Sequence, residues 1–216
     1  PHTPPQPLPL PPTPSDAQAL KPSALLGTDP LVSTERQRHH DLPELLHEGG
    51  VPEDAYEIPF GEPDVKRTGD DLTILTIGAT LYRALEASDE LAEKYGISCE
   101  VIDARSVVPF NFEKVVESVK KTHKIVLTSD ACERGSVMQT FASKITQFAF
   151  DDLDGPPVVV GSRNWITPAD EVEDSFFPQP SDIIDAVHEH ILPLKGYTPV
   201  RDCSTSDLMR RSAEGV

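Results

Sequence analysis

The sequence predicts an α/β protein with three layers, in which helices cover both faces of a mostly parallel sheet. The first observation is a nearly continuous apolar run over 72–77 that ends at Gly78, which is typical of a strand covered on both faces. The second is a run of apolar residues at helical spacing over 81–95, closed by Gly96, where a left-handed residue ends a helix. A further apolar strand over 99–105 completes a strand–helix–strand unit, whose crossover we expect to be right-handed.

The alternation of strands and helices continues along the chain. Asn111 is placed to cap a helix over 112–122, whose apolar side chains share one face. Residues 125–127 predict a third strand, and a loop over 129–136 leads to an amphipathic helix over 138–149.

The pattern repeats once more before the end of the chain. A fourth strand is predicted over 157–160, and a long loop bounded by proline follows over 161–180. Ser181 is placed to cap the last helix, 183–191. The polar residues 195–216 predict a disordered tail.

The chain before residue 71 has a different composition. Eight prolines in residues 1–14 predict a polyproline-type arm, for which an SH3-type ligand is one interpretation. Pro22 is expected to break the following helix, because proline in a helix interior costs ~3 kcal/mol. Prolines and glycines punctuate a connector over 42–70. We therefore divide the chain into a less ordered segment 1–50, a linker 51–70, a compact domain 71–194 and a tail 195–216.

Charge and cysteine content limit the classes of function. The 216 residues carry a net charge of −17, which argues against nucleic acid and is typical of a solvated surface or of binding to a basic partner. No apolar run reaches the ~18 residues of a membrane span. The three cysteines form no CxxC pair, which favours reduced thiols in a cytosolic-type compartment. Because the chain does not begin with Met and has no signal-peptide pattern, we expect a fragment or a processed product.

Motifs for chemistry are weak. The seven histidines include no metal-binding spacing; His39 and His40 beside Asp41 are either a metal pair or a solvated pair on the connector. Gly78 lies between a strand and a helix, as in a phosphate-binding turn, but GATLYR lacks the GxGxxG pattern and equally marks a helix start. The spacing indicates no Ser-His-Asp or activated Cys arrangement.

Four polar residues follow the third predicted strand: Ser129, Asp130, Glu133 and Arg134. The carboxyl ends of parallel strands are where α/β sheets carry their sites. The interpretations left open are an interface ion pair between Glu133 and Arg134, or loop residues with a structural role.

Three stretches resemble one family. EVIDARSVVPFN (100–111), VPEDAYEIPFGEPDVKRTGDDLTILTIG (51–78) and SVKKTHKIVLTSDA (118–131) resemble the C-terminal domain of transketolase-like β subunits. These are the E1β chains of thiamine-diphosphate-dependent 2-oxo acid dehydrogenases. The resemblance runs, with gaps, from about residue 12 to residue 194. It implies a transketolase C-terminal-like domain preceded, over 1–50, by a remnant of the pyrimidine-binding domain.

The resemblance also implies a function. An E1 component decarboxylates a 2-oxo acid oxidatively and passes the acyl group to the lipoyl group of the E2 acyltransferase, using thiamine diphosphate and Mg²⁺. The implied partners are an E1 α subunit, a second β subunit and the peripheral-subunit-binding domain of E2. The implied compartment is the cytoplasm, or the mitochondrial matrix in a eukaryote. The family's cofactor-activating glutamate precedes the resembling region, so no catalytic residue is carried over and the chain alone is predicted to be inactive.

Two sets of binding residues are carried over from the resemblance. The segment SALLGTDP would place a structural potassium ion at Ala24, Gly27 and Asp29. The phrase LDGP stands where relatives have an acidic residue that docks E2, so Asp154 is the match, with Asp151 and Asp152 beside it.

Other functions remain open from the sequence. One is an α/β module that serves assembly without thiamine chemistry, and another is the C-terminal domain of a transketolase or deoxyxylulose-phosphate synthase. The substrate is also open among pyruvate, branched-chain 2-oxo acids and acetoin.

Overall fold

The computed structural model describes residues 7–26, 32–34, 44–46, 50–54 and 56–200, and the structural statements below concern these residues. The elements in chain order are β1 (Leu8–Pro9), α1 (Pro14–Leu26), β2 (Asp64–Arg67), β3 (Leu72–Ile77), α2 (Thr80–Tyr95), β4 (Cys99–Asp103), β5 (Ser106–Val108), α3 (Glu113–Thr122), β6 (Ile125–Cys132), α4 (Val137–Ala149), β7 (Val158–Ser162), α5 (Glu173–Phe176) and α6 (Pro180–His190). Short 3-10 helices lie at Phe150–Asp152 and Asp170–Val172.

The central sheet has the strand order β2-β4-β3-β6-β7. The strands β4, β3, β6 and β7 are parallel to one another, and β2 pairs antiparallel with β4 at one edge. Every residue of β3 is buried, as the apolar run predicts for a central strand covered on both sides. The chain passes from β3 to its neighbour β4 and then crosses back to β6, the neighbour of β3 on its other side. The order in which the strands are added to the sheet therefore reverses between β3 and β6.

Two apolar cores lie on opposite faces of the sheet. Ile74 and Val126 point to one face, where they contact α2 and α6 through residues such as Leu91 and Ile183. The next residues along the strands, such as Leu75, point to the other face and contact α3 and α4. This alternation produces the predicted three-layer architecture.

The helix boundaries agree with the prediction more closely than the capping residues do. Helix α2 covers 80–95, and Gly96 ends it with φ 68°. Thr80 is the first residue of the helix, and its hydroxyl donates to the Ile77 carbonyl at 2.9 Å. Ser181 was predicted to cap the last helix, but Gln179 is the N-cap there and forms a reciprocal capping box with Asp182. The prediction is wrong because Pro180, which suits the first turn of a helix, moves the helix start forward.

Asn111 acts as predicted at the start of α3, although it lies one residue outside the cap. Its side-chain oxygen accepts a hydrogen bond from the backbone N–H of Glu113 at 3.0 Å, whereas the N-cap position is occupied by Phe112. The helix therefore begins at Glu113 rather than at residue 112.

The sheet begins before residue 71, where the sequence places the domain boundary. Strand β2, within the predicted linker, completes the edge of the sheet beside β4. At the other end, Tyr197 donates a hydrogen bond to Asp185, so the first residues of the predicted tail contact helix α6. Residues 201–216 lie outside the described residues. Strand pairing in β2 and the Tyr197 contact thus add residues on both sides of the predicted domain 71–194 to the folded structure.

Helix α1 continues through Pro22, contrary to the predicted break. Its start is fixed by Thr13, whose hydroxyl donates to Asp16 at 2.7 Å and accepts from the Asp16 backbone N–H at 3.0 Å. Ala19 and Leu20 are buried against Ile58. Capping and burial offset the cost of the internal proline.

Candidate functional site

A crevice opens at the carboxyl ends of β3 and β6, where the connections of the sheet reverse. Its volume is about 290 Å³. The lining residues are Leu10, Pro11, Thr34, Ile77, Gly78, Ser129, Asp130, Ala131 and Val137. The crevice therefore lies where α/β sheets bind their ligands, and the N-terminal segment closes one side of it.

The crevice brings together two of the four polar residues that the sequence singles out. Ser129 is buried, and Asp130 lies 3.8 Å from the guanidinium of Arg83, which also donates to the Pro178 carbonyl. Most of the lining is apolar. This arrangement is suited to binding an apolar group rather than to transferring protons.

Glu133 and Arg134 do not line the crevice. Burial raises the pKa of Glu133, and Arg163 opposes this rise more strongly than Arg134 does. Arg163, which follows β7, therefore acts on the Glu133 carboxyl together with Arg134, the neighbour that the sequence suggested.

Strand β6 extends to Cys132, so the first half of the predicted loop 129–136 belongs to the sheet. The extension is irregular: the register with β7 shifts between Thr128 and Cys132. Gly161 permits it, because a Cβ atom at this position would lie 2.6 Å from the Ala131 carbonyl oxygen. The sequence pattern missed the extension because Ser129 and Asp130 interrupt the apolar run of the strand, as loop residues do.

The predicted acidic residues lie on a turn at the amino ends of β6 and β7, whereas the crevice opens at the carboxyl ends of the strands. Asp151 and Asp152 belong to the 3-10 helix that follows α4, and Asp154 comes two residues later. Asp151 is exposed, Asp152 is half-buried, and the Asp154 side chain is 62% exposed. The structure therefore brings the three predicted residues together on one exposed turn.

His123 and Lys124 hold this turn in place. His123 ends α3 with φ 59°, its ring Nδ1 lies 2.7 Å from the Asp152 carbonyl oxygen, and its own carbonyl accepts from the Asp154 backbone N–H at 3.0 Å. The Lys124 ammonium lies 2.7 Å from the Asp154 carboxylate. This hydrogen bond holds the pKa of the Asp154 carboxyl below its ordinary value.

Sequence reasoning missed both residues of this anchor. The only feature of the sequence that points to His123 and Lys124 is their position between an amphipathic helix and a strand, where a residue that ends the helix is needed. The contacts join positions about thirty residues apart in the chain, which no local pattern indicates.

The potassium prediction is only partly within reach of the structure. Ala24 lies in α1, whereas Gly27 and Asp29 lie outside the described residues, so this ligand set stays a prediction. In the described part of the chain, no group of three or more His, Cys, Asp or Glu side chains is arranged to hold a metal ion. We therefore assign no Mg²⁺ or diphosphate ligand to these residues.

None of the helices in the described ranges combines the length and the apolar character needed to cross a bilayer.

The strand order and the two helical layers define an α/β domain of the transketolase C-terminal class. The family described as "Transketolase, C-terminal domain" matches residues 61–183, and the chain belongs to this family. A solved structure of a split-gene transketolase, an inactive β4 tetramer, has the same fold: the TM-score is 0.66 at 22% identity, over 86% of this chain and 57% of that chain.

Curated relatives are more similar in sequence. The 2-oxoisovalerate dehydrogenase subunit beta of Bacillus subtilis strain 168 is 40% identical over 147 residues, which are 68% of this chain and 43% of that protein. The pyruvate dehydrogenase E1 component subunit beta of the same strain is 34% identical over 180 residues, which are 83% and 54%. Its acetoin:2,6-dichlorophenolindophenol oxidoreductase subunit beta is 33% identical over 181 residues, which are 83% and 51%.

These relatives confirm the resemblance to β subunits that the sequence suggested. The chain spans about half the length of the curated relatives that it matches.

Proposed function

We propose that this chain is the C-terminal part of the β subunit of an E1 component in a thiamine-diphosphate-dependent 2-oxo acid dehydrogenase complex. The observation that carries the proposal is the extent of similarity. Aligned segments of 180 and 181 residues are longer than the family match over 61–183, so they include sequence beyond the shared domain. If the chain shared only a C-terminal domain with these β subunits, the similarity would not need to extend beyond residues 61–183.

In this assignment the complete E1 component decarboxylates a 2-oxo acid and passes the acyl group to the lipoyl group of E2. Thiamine diphosphate, with Mg²⁺, supplies the electron sink for decarboxylation when it is bound to the complete component. This portion contributes to assembly with the α subunit and a second β subunit. Cys99 and Cys132 are free thiols, which supports a reducing, cytosolic-type compartment.

We further propose that the acidic turn of Asp151, Asp152 and Asp154 docks a basic segment of E2. The turn is exposed and is held by backbone contacts to His123, so it is preorganised for a partner. Phe150, which is 72% exposed, lies at the start of the same turn and offers an apolar contact beside the carboxylates.

A chimera tests the enzymatic assignment. Residues 51–200 of this chain replace the matching part of the Bacillus subtilis pyruvate dehydrogenase β subunit, which is expressed with its α subunit. We expect assembly and 2-oxo acid turnover that requires thiamine diphosphate. A chimera that folds but neither assembles nor turns over pyruvate, a branched-chain 2-oxo acid or acetoin contradicts the proposal.

A pair of charge reversals tests the docking surface. Asp154→Lys is compared with Glu93→Lys, which changes an exposed residue of α2 by the same charge. We expect only Asp154→Lys to weaken binding of the E2 peripheral-subunit-binding domain to the assembled α/β complex. The loss should be mainly in the association rate and should shrink at high salt, because exposed charges steer encounter and are screened. Equal affinities of the two variants for the E2 domain would contradict the docking proposal and leave Asp154 as a surface residue with no role in binding.

A further inference from the structure

A cluster of buried charges joins helix α1 to the edge of the sheet. The Arg105 guanidinium, just after β4, lies 2.7 Å from Asp16 of α1 and 2.6 Å from Asp64 of β2. The Lys66 ammonium lies 3.2 Å and 2.8 Å from the same two carboxylates. The Asp16 side chain is only 2% exposed, so its two pairs are largely shielded from water, whereas the Asp64 side chain is 35% exposed.

Asp103, the last residue of β4, lies in the same cluster and is fully buried. One carboxyl oxygen, Oδ1, accepts a hydrogen bond from the Arg105 backbone N–H at 3.1 Å. The other, Oδ2, has no hydrogen-bond partner among the residues that the structure describes. A buried ionised carboxylate with an unpaired oxygen is costly, whereas a neutral acid loses much less solvation free energy on burial.

The charges in the cluster do not balance when every group is ionised. Three carboxylates, Asp16, Asp64 and Asp103, face two cations, Lys66 and Arg105. A proton on Asp103 leaves two negative and two positive charges.

The other groups around the cluster that belong to the described residues do not supply the missing positive charge. Lys114 acts on Asp64 from α3, but its ammonium lies 3.2 Å from Glu62 and is paired there. Tyr82 faces the cluster from α2, and burial raises its pKa, so it stays neutral. Two more groups lie on the side of the N-terminal segment. There Glu44 adds a further negative charge, and burial raises the pKa of Tyr56.

We propose that Asp103 carries a proton at neutral pH, and that this proton keeps helix α1 docked on the sheet edge, making the contact a pH-sensitive clamp. The direction of the effect follows from linkage. Burial, and then the charge of Asp16, raise the pKa of Asp103 to about 8 against the opposing influence of Lys66 and Arg105. In the unfolded chain the pKa of an aspartate is ~3.9. The folded chain therefore holds one proton more within this window, and stability falls as the pH rises from about 4 to about 8.

The test compares the 216-residue chain with its Asp103→Asn variant, which mimics the neutral acid. Asp70→Asn, an exposed aspartate at the same edge, is the control. Urea unfolding is measured from pH 6 to pH 9. The wild-type unfolding constant should rise by about tenfold per pH unit up to about pH 8, relative to that of Asp103→Asn. Asp70→Asn should follow the wild type.

Two further readouts report on the proton and on the clamp. Infrared spectra at pH 7 should contain the carbonyl band of a protonated carboxylic acid, which Asp103→Asn removes. Hydrogen-exchange protection factors in α1 should fall with rising pH in the wild type and remain constant in Asp103→Asn.

An unchanged pH profile in Asp103→Asn, or the absence of the infrared band from the wild type, overturns the proposal. If Asp103→Asn does not fold, the titration of Asp103 in the Asp16→Asn variant tests the proposal instead. Removing this neighbouring negative charge should shift the titration of Asp103, followed by the same band, to lower pH. A band that titrates at the wild-type pH in this variant would also overturn the proposal.

Discussion

Gly161 controls how closely β7 approaches the end of β6, and its replacement by alanine should destabilise the chain. An added Cβ atom would lie 2.6 Å from the Ala131 carbonyl oxygen, and 2.7 Å and 2.8 Å from the backbone N and Cα of Glu133. All three are main-chain atoms, which do not rotate away as a side chain does. The Glu133 N–H also donates to the Ser162 carbonyl at 3.2 Å, so relieving the overlap means breaking strand pairing.

Overpacking of this kind typically costs ~1–3 kcal/mol, and contact with three backbone atoms places Gly161→Ala near ~3 kcal/mol. For a chain of this size the midpoint of thermal unfolding should fall by roughly 6–12 °C. Circular dichroism during heating of the 216-residue chain measures the shift.

Gly155→Ala is the matched control, because an added Cβ atom at Gly155 would have no atom within 4 Å. We expect this variant to be neutral or slightly stabilised, since alanine restricts the unfolded chain more than glycine does. Equal midpoints for the two variants would refute the inference that close backbone approach selects glycine at position 161.

Two further predictions concern a charged contact and a buried one. Lys124→Gln should strengthen binding of a basic peptide to the acidic turn by roughly two- to fivefold at low salt, because the Asp154 carboxylate loses its internal partner; titration calorimetry measures this. Thr73→Val should lower the free energy of unfolding by ~0.5–1.5 kcal/mol, measured in urea, because it removes two buried hydroxyl contacts while Thr122 keeps the carbonyls of Ser118 and Lys124 as acceptors. Thr73 Oγ1 lies 2.6 Å from Ser118 Oγ and 2.7 Å from Thr122 Oγ1.

Each of these variants has a control on the exposed face of α4. Lys144→Gln removes the same charge as Lys124→Gln from a lysine that donates to Gln147 within α4 instead of pairing with Asp154, and it should leave peptide affinity unchanged. Thr140→Val alters an exposed threonine and should change stability by less than ~0.5 kcal/mol. Peptide binding that responds equally to both lysine variants would reflect overall charge, and equal stability of both threonine variants would contradict the assigned hydrogen bonds.

Local periodicity was sufficient to predict the fold class and most elements. The apolar run over 72–77 could be stable only as a covered strand, and the helical spacing from residue 81 ended at a glycine that adopts a left-handed conformation. Both signals are local. The first follows from the spacing of apolar residues within one strand or helix, and the second from the conformational freedom of a single glycine.

The candidate site was predictable only in part. The resemblance pointed to Asp151, Asp152 and Asp154, which lie between a predicted helix and a predicted strand, and the location of Ser129 and Asp130 after a strand placed them at the carboxyl ends of the strands. The sequence did not indicate that Asp151 is more exposed than Asp152, since burial depends on neighbours from other elements.

The amino-acid sequence alone was enough to establish that the chain is acidic, that its strands and helices alternate, and that three stretches of it resemble β subunits. Only the tertiary structure decided that Lys124 pairs with Asp154, and that Asp16 meets Arg105 beneath helix α1. Residues far apart in sequence meet there because the sheet order brings their strands and helices together. A charge acquires its partner and its burial from that arrangement, and its chemistry depends on both.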